Sequence, residues 1–146
     1  MKKQLLATLL AFTALDVAGQ ALVVEDAWVR AMPPAQRMTA AYMTLRNTGD
    51  APVVVESVSA QGAAEASLHA TRRDGDRVRM EAIDKLTVDP GATVKLAPGG
   101  LHVMIMGVAQ MPAVGDTREL CLQTNSGAQC FAATVRKQGP GDHSHH

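Results

Sequence analysis

The sequence predicts an all-β domain, a sandwich or Greek-key barrel of about nine short strands, and three observations support this fold class. Turn signals recur at short intervals, among them NTGD at 47–50, DPG at 89–91 and NSG at 125–127. The segments between them are short, and are either rich in β-branched residues or alternating in polarity. Apart from the N-terminal segment, no part of the chain spaces its apolar residues as a helix would over three turns.

Nine segments are the strand candidates. The first two, LVVEDAWVR and TAAYMTLRN, are joined by a connection that contains two prolines, and NTGD separates the second from PVVVESVSA. ASLHATR and DRVRMEAI flank an Asp-Gly pair, which is a hairpin signal. ATVKLA lies between DPG and PGG, and LHVMIM follows PGG. TRELCLQT and QCFAATVRK flank NSG, so we expect them to form the last hairpin.

Residues 1–21 differ from the rest of the chain. They combine a basic start with the apolar run LLATLLAFTAL and small residues up to Ala21, which is typical of a secretory signal peptide cleaved after Ala21. A membrane anchor needs about 20 apolar residues, and Asp16 interrupts this run too early. We therefore expect a periplasmic protein with no stable membrane insertion after cleavage. Its folded domain would cover 22–137, followed by a flexible polar tail at 138–146.

Charge and motifs exclude several classes of function. Cleavage removes Lys2, Lys3 and Asp16 from a chain with 14 basic and 14 acidic residues, leaving 12 basic and 13 acidic. That balance argues against nucleic acid as a partner, because phosphate binding needs a basic surface. The chain has no Gly-rich phosphate loop, no GxSxG turn and no HExxH helix, so we do not expect an enzyme.

The two cysteines, Cys121 and Cys130, fall in the last predicted hairpin. A loop at Asn125 and Ser126 would set one cysteine opposite the other. In an exported protein this arrangement is typical of a structural disulfide. Sulfurs that are bonded to each other are not available to a metal.

The strand candidate LHVMIM raises the main functional question. Because side chains alternate along a strand, its aliphatic residues share one face, while His102, Met104 and Met106 share the other. Methionine also fills irregular gaps in cores, so the HxM pair by itself decides nothing. Met38, which lies next to the connection that contains the prolines, is a candidate for a supporting role.

A second histidine and methionine lie in the hairpin around Asp74 and Gly75. If those two residues form a type I′ loop, His69 stands directly opposite Met80, with Cβ atoms about 4.5–5.5 Å apart. An imidazole and a thioether at that distance can reach one ion. A three-residue loop around Gly75 would instead shift the pairing by one residue, and the spacing leaves both registers open.

The sequence thus offers two local pairs, His69 with Met80 and His102 with Met104. Two imidazoles and two thioethers make a soft, uncharged ligand set that favours Cu(I), because thioether sulfur binds hard or borderline divalent ions poorly. Zinc is more often bound by thiolate, imidazole or carboxylate. Methionine also suits an oxidising compartment, since it cannot be lost to disulfide formation.

These residues also carry a family resemblance. A histidine, ten residues, a methionine, 21 residues and then HxM resembles the signature of the PCu(A)C-type periplasmic copper chaperones, and His69, Met80, His102 and Met104 occupy its positions. DAWVRA, PPAQRMTAAYMTLRNTGD and PGGLHVMIMG are similar to other parts of that family. The resemblance covers roughly residues 25–136.

The resemblance implies a cupredoxin-like β-barrel that binds one Cu(I). It also implies partners, since the family delivers copper to cytochrome oxidase assembly, at the dinuclear copper A site of oxidase subunit II, with Sco-type proteins as companions. A role in copper homeostasis is the other expectation. The family often has acidic residues after the first histidine, whereas this chain has the basic segment ATRRDGDRVR, which bears on the charge of the docking partner.

The C-terminal tail contains three histidines, and two other functions are compatible with the sequence. His143, His145 and His146 could hold Cu(II) or zinc loosely, or the tail could simply be solvated. One alternative function is a metal-free secreted β-sandwich with a role in adhesion or assembly. Another is a blue-copper-like electron carrier, which would need a thiolate ligand.

Overall fold

The computed structural model describes residues 21–139, and every regular element in that range is a strand. The strands are β1 (Leu22–Arg30), β2 (Met38–Asn47), β3 (Val53–Ala60), β4 (Glu65–Asp74), β5 (Arg77–Ile83), β6 (Leu86–Val88), β7 (Thr93–Leu96), β8 (Leu101–Met106), β9 (Thr117–Thr124) and β10 (Gly127–Arg136). The predicted all-β class is confirmed. The sequence missed only β6, whose 3 residues are too few to show an alternating pattern. No helix long and apolar enough to span a bilayer occurs in the described range.

The predicted signal peptide, apart from Ala21, lies outside the described residues, and so do the three tail histidines. The strands form one mixed sheet in the order β5-β4-β8-β2-β1-β10-β9-β3-β6, with β7 paired to β2. β1 and β10 run parallel, and the other pairings in the described range are antiparallel. Strands from both ends of this order share a hydrophobic core, so the sheet folds over on itself as in a sandwich or barrel.

The core fixes which residues of β8 face outward. Val103 and Ile105 are 0% and 4% exposed, and pack in the core with residues such as Met43. Full burial of a side chain of this size stabilises the fold by about 1.5–3 kcal/mol. The alternation of the strand then turns His102 and Met104 to the outer face, as the sequence predicted.

The β4–β5 hairpin has neither of the two registers that the sequence left open, so the predicted direct pairing of His69 with Met80 is wrong. The loop is Gly75 and Asp76 rather than the pair that begins one residue earlier, so Met80 pairs with Thr71 instead of His69. Gly75 has a φ of +61°, and glycine at the first loop position is typical of a type II′ turn. The pairing moves by an even number of residues, so Met80 stays on the same face as His69, in a diagonal position.

The last hairpin has the predicted register. Its strands pair Cys121 with Cys130, and the two sulfurs form a disulfide. No free cysteine occurs in the described residues, and these two are the only cysteines of the chain. The chain therefore offers no thiolate for a blue-copper site while this disulfide is intact.

Candidate metal centre

Four aromatic rings lie in a row across the outer face of the sheet. Trp28 on β1 pairs with Tyr42 on β2, with ring centroids 4.6 Å apart. The ring of His102 on β8 is 6.5 Å from that of Tyr42. His69 on β4 pairs directly with His102, and their rings stack at 5.9 Å. The β4–β8 pairing thus brings together the two histidines that the sequence predicted as ligands.

Each of these histidines has one ring nitrogen with a hydrogen-bond partner. His102 Nδ1 lies 3.0 Å from the carbonyl oxygen of Gly100. Because a carbonyl can only accept, Nδ1 donates, and Nε2 of the neutral ring keeps a lone pair. His69 Nε2 lies 3.0 Å from Ser67 Oγ.

The other ring nitrogen of each histidine has no partner. Nδ1 of His69 and Nε2 of His102 are buried, and no other buried side-chain nitrogen or oxygen of the described chain lacks a hydrogen bond. Leaving such an atom unpaired costs about 1–3 kcal/mol. These two nitrogens, on stacked rings, are therefore available to bind a ligand.

A hollow of about 400 Å³ opens beside the histidines. Three of the four predicted ligand residues line it, namely Met80, His102 and Met104. The fourth, His69, is not part of the lining but lies against His102. Strands β4, β5 and β8 thus gather the four predicted residues in one region of the outer face.

Two methionines outside the predicted ligand pattern also line this hollow. Met32 comes from the β1–β2 connection, and Met38 is the first residue of β2. We refer to the hollow as the thioether pocket, after its four methionines, Met32, Met38, Met80 and Met104. Sequence reasoning gave Met38 only a supporting role, because its distance from the histidines depends on the pairing of β2 with β8.

The charged side chains of the thioether pocket are cationic. Arg30 and Arg73 line it, whereas no carboxylate of the described residues does. Arg30 lies 5.3 Å from the centroid of the Tyr42 ring, in a cation–π contact. Burial raises the pKa of Tyr42, and the charge of Arg30 opposes that rise, so Tyr42 stays neutral at physiological pH. Hard divalent ions prefer oxygen ligands, which this pocket does not supply as carboxylates.

A second group of metal-ligating atoms lies elsewhere on the sheet. It comprises Glu119, Cys121 and Cys130. The disulfide removes both sulfurs as thiolates, which leaves a single carboxylate. The group lies on β9 and β10, and β2 and β1 separate these strands from β8 in the sheet order. It is therefore not part of the thioether pocket.

Comparison with known proteins gives one family and several similar chains. The LpqE-like family matches residues 22–135. Lxx21020 of Leifsonia xyli subsp. xyli, which is named as a lipoprotein, is 31% identical over 119 residues, or 81% of this chain and 70% of that protein.

Solved structures with this fold include proteins that bind copper. Apo-DR1885 of Deinococcus radiodurans has a TM-score of 0.65 and 32% identity, covering 94% of this chain and 93% of that one. The Cu(I) form of DR1885 has a TM-score of 0.65 and 36% identity, covering 83% of both chains. The copper-bound PCuAC domain of PmoF2 has a TM-score of 0.67, covering 80% of this chain and 92% of that one, and its 24% identity is evidence for the fold alone.

Proposed function

The chain belongs to the LpqE-like family and is a PCu(A)C-type domain, and from this premise we propose that it is a periplasmic copper chaperone that carries one Cu(I). One observation carries the proposal: His69 and His102 stack on each other, each has a buried ring nitrogen without a partner, and His102 lines a pocket that also contains four methionines. The Cu(I) form of DR1885, at 36% identity, supports the choice of metal.

We propose His69, Met80, His102 and Met104 as the copper ligands. His102 would bind through Nε2, because its Nδ1 donates to Gly100. His69 would bind through Nδ1, with Ser67 Oγ accepting the proton on Nε2. Copper bound to these two nitrogens would offset the cost of burying them without a partner.

The donor set favours the monovalent ion. Imidazole and thioether are neutral, so binding of Cu(I) releases no proton and leaves a net charge near +1 at the site. Thioether sulfur is a soft ligand that suits Cu(I) better than Cu(II). The nearby charges of Arg30 and Arg73 would further disfavour an additional positive charge on the metal.

The exposure of the ligands suits a carrier rather than an enzyme or a storage site. His102 is 4% exposed, whereas Met80 is 58% exposed. A partner's ligand can therefore approach from the Met80 side and displace the protein's ligands one at a time. We propose oxidase subunit II, at its copper A site, and Sco-type proteins as acceptors, with copper homeostasis as the wider role.

The compartment proposed is the periplasm, reached through the signal peptide at 1–21. The disulfide between Cys121 and Cys130 supports an oxidising compartment. The lipoprotein name of Lxx21020 supports a place in the cell envelope.

The test replaces the two sulfur ligands. Met80→Leu with Met104→Leu keeps apolar bulk, so the fold should lose less than about 1.5 kcal/mol. Cu(I) affinity, measured by competition with a chromophoric chelator, should fall by roughly 100-fold, or about 2.7 kcal/mol. Met111→Leu, at a half-buried methionine outside the thioether pocket, is the matched control and should leave Cu(I) affinity unchanged.

Unchanged Cu(I) affinity in the double variant would refute the ligand assignment. A wild-type protein with no measurable Cu(I) affinity would instead favour the metal-free β-sandwich with a role in adhesion or assembly. Thermal unfolding of each variant separates loss of ligands from loss of fold.

A further inference from the structure

The proposed copper site uses two of the four methionines of the thioether pocket. Met32 and Met38 remain, and they enter the pocket from the β1–β2 connection and from the start of β2. Met38 is the more exposed of the two, at 48%. At this exposure, core packing does not account for a methionine at this position.

The β2–β8 register places Met38 close to the proposed ligands. Met38 pairs with Met106, and Ala40 pairs with Met104. Met38 is thus diagonal to Met104 on the same face, a separation of about 7–8 Å between backbones that long side chains can bridge. The small side chain of Ala40 leaves the space between them open, and both methionines line the pocket.

The residues that could bind copper in the pocket differ in their exposure to solvent. His102 is 4% exposed, Met38 is 48% exposed and Met80 is 58% exposed. An ion that leaves the histidine nitrogens for a partner would pass the exposed thioethers of Met38 and Met80 on its way. The sulfur atoms of these exposed methionines would let each new bond to copper form before the previous one is lost.

The two arginines that line the pocket would weaken the binding of any metal ion there. Arg30 and Arg73 line the pocket, and neither is in a salt bridge within residues 21–139. Two guanidinium groups repel an incoming cation, so the ion is held by sulfur coordination rather than by charge. Weak binding of a soft ion is the property that an exchange site requires.

We propose that Met38 is a third thioether ligand, which with Met80 and Met104 forms an outer Cu(I) site through which the ion enters and leaves. This inference rests on the proposed function and adds a residue to its transfer step. In that step a bond from copper to Met38 sulfur forms as one bond from copper to a histidine nitrogen breaks. Copper stays monovalent, all protein ligands are neutral, and no proton or electron is transferred.

The test separates rate from affinity. The full chain is loaded with Cu(I), and transfer to excess chromophoric chelator is followed by stopped flow. Met38→Leu should slow the transfer by about tenfold, while the equilibrium affinity for Cu(I) changes by less than about twofold. Met106→Leu is the matched control, because Met106 lies directly opposite Met38 but does not line the pocket; its transfer rate should equal that of the wild type.

Two results would overturn the inference. A Met38→Leu protein that transfers copper at the wild-type rate has no exchange ligand at this position, and the four-ligand site would stand. A loss of equilibrium affinity as large as that of Met80→Leu would make Met38 a primary ligand instead. Failure of the wild type to bind Cu(I) would count against the proposed function, and is recognised before any transfer is measured.

Discussion

At the scale of single residues, the hydrogen bonds behind the two histidines determine which nitrogen is free. Gly100 fixes His102, since its carbonyl oxygen can only accept. Ser67 contacts His69 through a hydroxyl, which can donate or accept. In the proposed site, we therefore expect Ser67 to orient His69 by a hydrogen bond to the ring nitrogen that does not bind copper.

Ser67→Ala tests that dependence. Without the hydroxyl, His69 Nε2 has no acceptor, and the tautomer with a free Nδ1 is less favoured. We expect Cu(I) affinity to fall by about tenfold, measured by chelator competition, with little change in thermal stability. Ser59→Ala, at an exposed position on β3, serves as the control. Equal affinities in the two variants would show that Ser67 does not position the histidine.

At the scale of elements, the β4–β5 and β9–β10 hairpins carry different features. The β4–β5 hairpin carries Met80, and it extends past the end of the β4–β8 pairing, which stops at Ala70 and Leu101. The β9–β10 hairpin carries the disulfide, and β1 and β2 separate it from β8 in the sheet order. The proposed copper site and the disulfide therefore lie on different parts of one sheet.

Cys121→Ser with Cys130→Ser should separate these two features. Loss of a cross-link that closes a short loop destabilises a domain by about 2–4 kcal/mol. Chemical denaturation should show that loss, while Cu(I) affinity stays at the wild-type value, because neither sulfur lines the thioether pocket. In the native oxidised protein, free-thiol reagents should label neither cysteine. Labelling of both, or a large drop in Cu(I) affinity, would contradict this division.

At the scale of the whole molecule, the chain has no net charge, yet the charged groups that residues 21–139 place around the candidate site are all cationic. Arg30 and Arg73 line the thioether pocket, whereas the charge of Arg72 is balanced by its salt bridge with Glu81. The electrostatic field near the site therefore depends on where the arginines lie and not on the net charge of the chain. If the chain is the copper chaperone proposed above, we expect its acceptor to present an acidic surface to these arginines.

The C-terminal tail supplies the whole-molecule prediction. Gly139 lies close to the Trp28 ring, so a truncation after Gly139 keeps that contact and removes His143, His145 and His146. Because none of the four proposed ligands lies beyond Met104, Cu(I) affinity should not change. A weaker Cu(II) site, measured by calorimetric titration, should disappear. Loss of Cu(I) binding would mean that the site extends into the tail, and retained Cu(II) binding would place that site elsewhere.

The sequence by itself determined the faces of the strands. The alternation in LHVMIM sends Val103 and Ile105 to the core, and therefore puts His102 and Met104 together on the outer face. It also determined the Cys121–Cys130 pair, because a two-residue loop at NSG closes the hairpin locally. These features depend on neighbours a few residues apart, and local spacing is what a sequence displays directly.

The tertiary structure alone decided how the strands meet. Which loop residues turn the β4–β5 hairpin depends on backbone angles such as the positive φ of Gly75, and this choice moved Met80 from His69 to Thr71. The stacking of His69 on His102 requires β4 to pair with β8, and the place of Met38 requires β8 to pair with β2. Strand order follows from how all ten strands cover a common core, a free energy that sums over the whole chain and that no short segment contains.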